Sequence, residues 1–338
     1  MINIAFRVDG GYEIGMGHIM RSLALAQAFP QDINISFIIK EEESVIKLLE
    51  EYSFEIITIE SNLTYKEEIN KVQELIKNKQ IDILITDSYQ IRQDYLIEMK
   101  RIVDKLVTIH DFAPFAFPSD IVINGNVYAP KLDYKSTHGN MQFLLGTDYT
   151  LMREEFQDLP KREVNEEVEN ILVTVGGSDL LNLTPKIIKA LDELDEEPHI
   201  DIVIGSAFKN IDEIITEVRN SNLEINLHFN VRKMSKLMLK GDLAISSGGS
   251  TLYELAVTGT PAITLLQADN QILVAEAMEE AGVIINLGFG NEASIELLRN
   301  NIYKLFNNFK FRRQLIRKGQ TIVNGQGVIR CVEIIMKQ

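Results

Sequence analysis

The chain has 338 residues, 45% of them hydrophobic and 25% charged, and its 49 acidic against 34 basic side chains give a formal charge of −15. That length exceeds what one core ordinarily supports, so two domains are expected, and the acidic field excludes a nucleic-acid backbone as partner. No apolar run is long enough for a bilayer crossing, so no membrane span is expected, and the single cysteine, Cys331, forms no internal disulfide, which fits a reducing, cytoplasmic compartment.

The opening residues, Met1 to Val8, have none of the features of a signal peptide, and Ile2 to Val8 predict a strand. Strands and amphipathic helices then alternate: helix His18 to Ala28, strand Ile33 to Ile39, helix Glu43 to Tyr52, strand Glu55 to Ile59, helix Lys66 to Asn78. The pattern continues with strand Ile81 to Thr86, helix Gln93 to Lys100, and strands Leu106 to Ile109, Ile121 to Ile123 and Phe143 to Leu145. Short β-branched runs between helices are the mark of parallel βαβ units. The charged stretch from Gln157 to Glu169, with Pro160 inside it, reads as a linker, and the boundary is placed between domains 1–160 and 161–338.

Beyond it the alternation resumes: strand Ile171 to Val175, a helix after Asn182, strand Ile200 to Ile204, helix Asp212 to Asn220, strand Ile225 to Phe229 and helix Met234 to Leu239. Strand Leu243 to Ser246, helix Ser250 to Val257, strand Ala262 to Leu265 and helix Val274 to Glu280 follow. The expected architecture is α/β, two Rossmann-like doubly wound domains facing across a cleft, with ligand groups at the carboxyl ends of their strands.

Between the first strand and first helix lies Arg7-Val-Asp9-Gly10-Gly11-Tyr-Glu-Ile14-Gly15-Met-Gly17-His18-Ile-Met-Arg21. Gly15 and Gly17 let a backbone approach a ligand closely, but Met20 stands where a dinucleotide fingerprint needs its third small residue, which argues against a nicotinamide enzyme. His18, in the first turn of its helix, faces the positive end of the macrodipole, which favours the neutral imidazole, a usable general base. The alternative is a histidine that merely caps the helix. With Arg7, Asp9, Gly15, Gly17 and Arg21 around it, the segment is expected to bind substrate.

A second constellation is Ser246-Ser247-Gly248-Gly249-Ser250-Thr251-Leu-Tyr-Glu254, where a strand delivers a small polar loop and a helix starts near Ser250. The free amides and hydroxyls of Ser247, Gly248, Gly249, Ser250 and Thr251 suit a diphosphate. The competing reading is a capping box, Ser250 or Thr251 with Glu254. Gly176, Gly177 and Ser178 repeat the strand-to-loop arrangement and extend the cradle. His110-Asp111 is weighed as an acid/base pair and set lower, because neighbours on a strand end point to opposite faces. His138, His199 and His228 show no metal-ligand spacing, so no metal and no cofactor are expected.

These residues resemble the UDP-sugar hydrolase family of pseudaminic acid biosynthesis, whose opening loop runs Arg-x-Asp, small residues, Ile-Gly-x-Gly-His, then Arg. The resemblance continues through Thr86-Asp87-Ser-Tyr89, Asn124-Gly-Asn126-Val-Tyr128-Ala, Gly146-Thr-Asp-Tyr149-x-Leu-Met-Arg153-Glu154-Glu155-Phe, Gly176-Gly177-Ser178-Asp179 and Asp269-Asn270-Gln271. It implies the GT-B fold, His18 as the base that activates water, Tyr89 and Asn270 on the sugar side, and Gln271 among the nucleotide contacts. The second constellation also resembles glycosyltransferases, which implies that Glu254 accepts from ribose hydroxyls. Gly10 and Gly11 replace hydroxyl-bearing residues of the family loop, and Ser88 stands where histidine often precedes the tyrosine, which leaves the sugar less defined than the nucleotide.

The expected function is therefore hydrolysis of a UDP-sugar, UDP-2,4-diacetamido-2,4,6-trideoxy-β-L-altropyranose or a close relative, to UDP and free sugar. A GT-B glycosyltransferase, a nucleotide-sugar 2-epimerase, and a non-catalytic nucleotide-sugar-binding protein of polysaccharide or spore-coat assembly are the rivals.

Overall fold

The computed structural model describes residues 2–11 and 14–337; Met1, and Tyr12 and Glu13 of the glycine-rich loop, lie outside the described residues, as does Gln338. The chain forms two compact units, Met1–Glu154 with Gln326–Gln338, and Glu155–Gly325. The boundary therefore falls six residues before the expected one, and the last segment belongs to the first unit rather than the second.

In the first unit the strands β1 (Asn3–Val8), β2 (Asn34–Lys40), β3 (Glu55–Ile59), β4 (Ile83–Asp87) and β5 (Lys105–Ile109) alternate with helices α1 (Gly17–Gln27), α2 (Glu43–Leu49), α3 (Tyr65–Lys79) and α4 (Gln93–Lys100). Four short strands follow, β6 (Ala116–Phe117), β7 (Ile121–Asn124), β8 (Lys135–Ser136) and β9 (Gln142–Leu145). Except for β6 and β8, which pair with each other, all join one parallel sheet in the order β3-β2-β1-β4-β5-β7-β9. Successive β1 side chains go to opposite faces: Ile4, Phe6 and Val8 enter one core, while Ala5 enters the other, with Val72, Ile76 and Leu96 of α3 and α4. Arg7 shares the Ala5 side by this alternation and is fully buried.

The second unit alternates β10 (Asn170–Thr174), β11 (His199–Ile204), β12 (Ile225–Phe229), β13 (Leu243–Ser247), β14 (Ala262–Leu266) and β15 (Ile284–Phe289) with α5 (Leu183–Asp192), α6 (Ile211–Asn220), α7 (Met234–Lys240), α8 (Thr251–Thr258) and α9 (Ile272–Glu280). Helices α10 (Ile295–Phe306) and α11 (Phe309–Ile322) complete it, and α12 (Gly327–Met336) returns to the first unit. The sheet is parallel in the order β12-β11-β10-β13-β14-β15. Ile171 and Val173 of β10 pack with Ile187, Ile188 and Leu298. Strands β6, β8 and β15 and helices α10 to α12 were not read from the sequence.

Both sheets wind outward from an early strand and reverse direction, between β1 and β4 in one unit and between β10 and β13 in the other. The loops that leave such neighbouring strands part to opposite sides, opening a crevice beyond the carboxyl ends. Asp9 and Asp87 follow that rule in the first unit, and Val175 to Ser178 with Ser247 to Ser250 in the second.

Candidate active site

In the first unit, α1 begins at Gly17 behind Met16, and no side chain caps it. His18 is thereby held in the first turn at the end of β1, directly beside the end of β4, where Val8 pairs in register with Asp87. His18 Nδ1 lies 2.6 Å from Asp87 Oδ1, and both side chains are almost wholly buried, with 6% and 1% of their residues' surface exposed. Arg21 Nη2 lies 3.0 Å from the same Nδ1 and 2.6 Å from the same Oδ1. An unprotonated Nδ1 would set its lone pair against the Asp87 carboxylate at 2.6 Å, so the proton is assigned to Nδ1, donated to Asp87, and Arg21 Nη2 meets that nitrogen as a charge neighbour while donating to Asp87 Oδ1. This leaves the lone pair of the neutral ring on Nε2, which has no hydrogen-bond partner among the described residues. Asp87 also accepts from Arg21 Nε at 2.7 Å and Ser22 Oγ at 3.2 Å. Burial works to raise the Asp87 carboxyl, and Arg21 with His18 outweighs it, holding the group below the usual carboxylate range.

Arg21 continues to a second carboxylate, Asp111, at 2.7 Å. Tyr89, 44% exposed, donates its hydroxyl to Asp111 and sets its ring edge against His18, with centroids 4.5 Å apart at 84°. Of the two residues that the resemblance puts on the sugar side, Tyr89 is in contact with His18, while Asn270 lies in the second unit, exposed on a single 3-10 turn, Asp269–Gln271. His110 turns away from Asp111, as the strand-end alternation requires: its Nδ1 accepts from the Phe112 amide and its ring packs against Tyr89, Phe112, Phe115 and Phe117. Burial pushes that imidazole's pKa down.

Three expected ligand contacts, Arg7, Asp9 and Arg21, need correction. Arg7 is fully buried and spends its donors on Asp9 at 2.7 Å and Glu68 at 2.6 and 3.1 Å, so it holds Asp9 in place and meets no ligand. Asp9, 2% exposed, accepts from Arg7 and from the Ser88 hydroxyl, which fixes the turn after β4. Arg21 is likewise neutralised by Asp87 and Asp111 and is no free diphosphate anchor. A methyl group at Gly15 or Gly17 would meet nothing within 4 Å, so open space adjoins both glycines.

In the second unit, the loop after β13 reaches α8, whose first residue is Thr251. The Ser250 side chain makes no cap, so the capping-box reading is not realised, and the amides of Leu252, Tyr253 and Glu254 close the turn onto Gly249 and Ser250 carbonyls. No hydrogen bond within the described residues takes up the amides of Gly249, Ser250 and Thr251, which makes them anion donors at a positive helix end. Gly249 has φ +108° with open space around it, a conformation that suits a ligand-facing glycine. Ser247 and Gly248 are buried. Ser247 Oγ donates to Val175 O at 2.8 Å, and Gly248 is pressed against Gln271, so these two shape the loop.

Gly176 to Ser178 lie beside that loop but do not open a helix, because α5 starts only at Leu183 and the Asp179 carboxylate takes the Leu183 and Thr184 amides at 2.6 and 2.9 Å. Gln267 ties the loops together: its Nε2 donates to Val175 O and Ser178 O, and its amide donates to Gln271 Oε1 at 2.9 Å. Glu254 lies half-buried one turn into α8. Sequence reasoning named neither Asp87 nor Gln267 as a candidate site residue and set Asp111 low, as half of a pair with His110. The available signal for Asp87 was an acid closing the otherwise apolar run Ile83 to Thr86.

Among known proteins, residues 170–323 match the Glycosyltransferase family 28 C-terminal domain. The chain is 32% identical over 281 residues to the uncharacterized protein MJ1062 of Methanocaldococcus jannaschii, covering 80% of this chain and 57% of that protein. It is 28% identical to the spore coat polysaccharide biosynthesis protein SpsG of Bacillus subtilis, across 99% of this chain and 98% of the other. With the UDP-2,4-diacetamido-2,4,6-trideoxy-beta-L-altropyranose hydrolase of Campylobacter jejuni it shares 30% identity over 75% of this chain and 87% of that protein. The crystal structure of Acinetobacter baumannii MurG matches with a TM-score of 0.76 over 100% of both chains at 17% identity, which makes the fold GT-B. No helix of the described residues is long and apolar enough to cross a membrane.

Proposed function

The chain belongs to the GT-B family represented by the Campylobacter jejuni hydrolase, and from that premise we propose that it hydrolyses a UDP-linked diacetamido-trideoxy sugar, or a close relative, to UDP and free sugar. The observation that carries this reading is the buried His18–Asp87 pair, 2.6 Å apart through Nδ1, with Nε2 unpartnered among the described residues. That is the arrangement of a general base whose tautomer is fixed by a carboxylate. Nε2 takes a proton from water as the oxygen attacks the anomeric carbon. Asp87 stabilises the imidazolium that forms.

The surroundings of His18 favour carbon over phosphorus as the centre attacked. Asp87, Asp111 and Arg21 sum to one formal negative charge, and the guanidinium is already shared between two carboxylates. Such a site repels a diphosphate and accepts an uncharged sugar. Within the second unit, the amides of Gly249, Ser250 and Thr251 suit a diphosphate, with Glu254 one turn further to accept from a ribose.

The match to a glycosyltransferase domain favours a second reading, in which the same base activates an acceptor hydroxyl. Incubating the protein with UDP-sugars and no acceptor separates the two, since hydrolysis releases UDP from water alone. Running the reaction in ¹⁸O-labelled water then locates the bond broken. Label in the sugar, with inversion at the anomeric carbon, is the expected result; label in the nucleotide phosphate overturns the mechanism.

A further inference from the structure

Asp111 holds a place that neither catalysis nor nucleotide binding has claimed. It follows β5, is 8% exposed, and its carboxylate is the meeting point of three elements. Oδ1 accepts from Arg21 Nη1 of α1 at 2.7 Å and from Asn126 Nδ2, beyond β7, at 2.8 Å. Oδ2 accepts from the Tyr89 hydroxyl, beyond β4, and the Asp111 carbonyl accepts from Tyr128 Oη at 3.1 Å. Arg21 and Tyr89 are two of the groups that touch His18: one lies 3.0 Å from its Nδ1, and the other meets its ring edge-on at 4.5 Å.

We propose that Asp111 is a positioning residue for the His18 base: it draws Arg21 toward itself and fixes Tyr89 against the imidazole, so that ring orientation and local charge are set together. This rests on the reading of His18 as the base. A role in touching substrate is disfavoured because both carboxylate oxygens are occupied by side chains and little of the group reaches the surface. A purely structural role is disfavoured because two of its partners are themselves contacts of His18.

Among the described residues, the polar and charged groups around His18 come from α1 and from the ends of β4 and β5. From α1 comes Arg21, with the neutral Ser22 hydroxyl on Asp87; from the end of β4, Asp87 and Tyr89; from the end of β5, Asp111 through Arg21, with His110 behind Tyr89. Asp111 supplies one of the two negative charges that offset the guanidinium. Without it, Arg21 presents more of its positive charge to the imidazole.

The test compares Asp111→Asn, which keeps shape and removes charge, with Tyr89→Phe, which removes one hydrogen bond and keeps the charge. For Asp111→Asn, kcat is expected to fall about 10- to 100-fold from lost alignment, with KM nearly unchanged. The acid limb of its kcat/KM profile should move to lower pH. Tyr89→Phe should lower kcat and leave the limb where it is. Wild-type kcat in Asp111→Asn, or a fall in kcat with an unmoved limb, overturns the proposal, provided His18→Ala is inactive; an active His18→Ala overturns the reading beneath it instead. Should Asp111→Asn not fold, Asn126→Ala removes one of the three side-chain bonds to the same carboxylate. A several-fold loss of kcat at constant KM then supports the proposal, and unchanged kcat sinks it.

Discussion

At position 18 the chemistry depends on which ring nitrogen holds the proton, and a buried carboxylate 2.6 Å away makes that choice. His18→Ala should cost turnover about 10²- to 10⁴-fold, the usual contribution of a general base. UDP affinity, measured by calorimetry, should stay near wild type because the proposed nucleotide contacts belong to the second unit. Asp87→Asn should lose turnover to a similar degree while leaving the ring in place, since an amide no longer demands a proton on Nδ1. Retained activity in either variant removes the base assignment. His18 was legible in the sequence because glycines and charged residues crowd it within a few positions. The link of Asp87 to it, and of Asp111 through Arg21 and Tyr89, was not, because it depends on strand β4 lying beside β1 and on β5 lying beside β4, which no local pattern encodes. Arg7 and Arg21 were misassigned for a related reason: a cation near a glycine-rich loop resembles an anion ligand until the carboxylates that neutralise it are placed.

Among the elements, the start of α8 does most for nucleotide recognition in this reading. Its amides stay available because Ser250 does not cap them, and Gly249, at φ +108°, turns the chain so that they converge. Gly249→Ala meets no steric neighbour, so its effect isolates backbone conformation. An alanine there carries strain of about 1 kcal/mol or more, and relief of that strain re-aims the loop. UDP binding should weaken roughly 5- to 10-fold, as 1.4 kcal/mol is a factor of ten, while kcat at saturation changes less. Unchanged UDP affinity would place the diphosphate elsewhere. Most elements were legible from period and propensity, and their bounds fell within a few residues of those observed. The main failure came after Glu280. Strand β15 carries Asn286 and Gly288, which break the apolar run, and α11 has a basic, weakly apolar sequence whose buried side is Arg312, Leu315, Ile316 and Gly319. Arg312 is buried because four backbone carbonyls, those of Leu305, Phe306, Asn165 and Glu166, accept its protons.

On the scale of the whole molecule, chain continuity misleads: a boundary drawn at one charged linker assigns everything after it to the second domain. The last segment crosses back because α12 is apolar on one side, and Val328, Cys331, Val332 and Ile335 enter the same core as Ile4 and Phe6 of β1. Cys331 is fully buried there, and burial raises its thiol pKa, which fits its reading as a small apolar residue. Lys105 adds a polar fastening, donating to the Ile335 and Lys337 carbonyls at 2.7 Å each. Burying side chains of this size contributes about 1.5–3 kcal/mol each, so four of them are comparable with the whole stability of a typical domain, about 5–15 kcal/mol. A chain ending at Gly325 should therefore lose the first unit and keep the second. Hydrogen exchange read by mass spectrometry decides it peptide by peptide. Protection should vanish from β1, β4 and α1, taking the His18 site with it, and persist in β10, β11 and β13. Loss confined to the second unit would restore the boundary drawn from the sequence, and loss in neither would mean that α12 merely covers a core that stands without it.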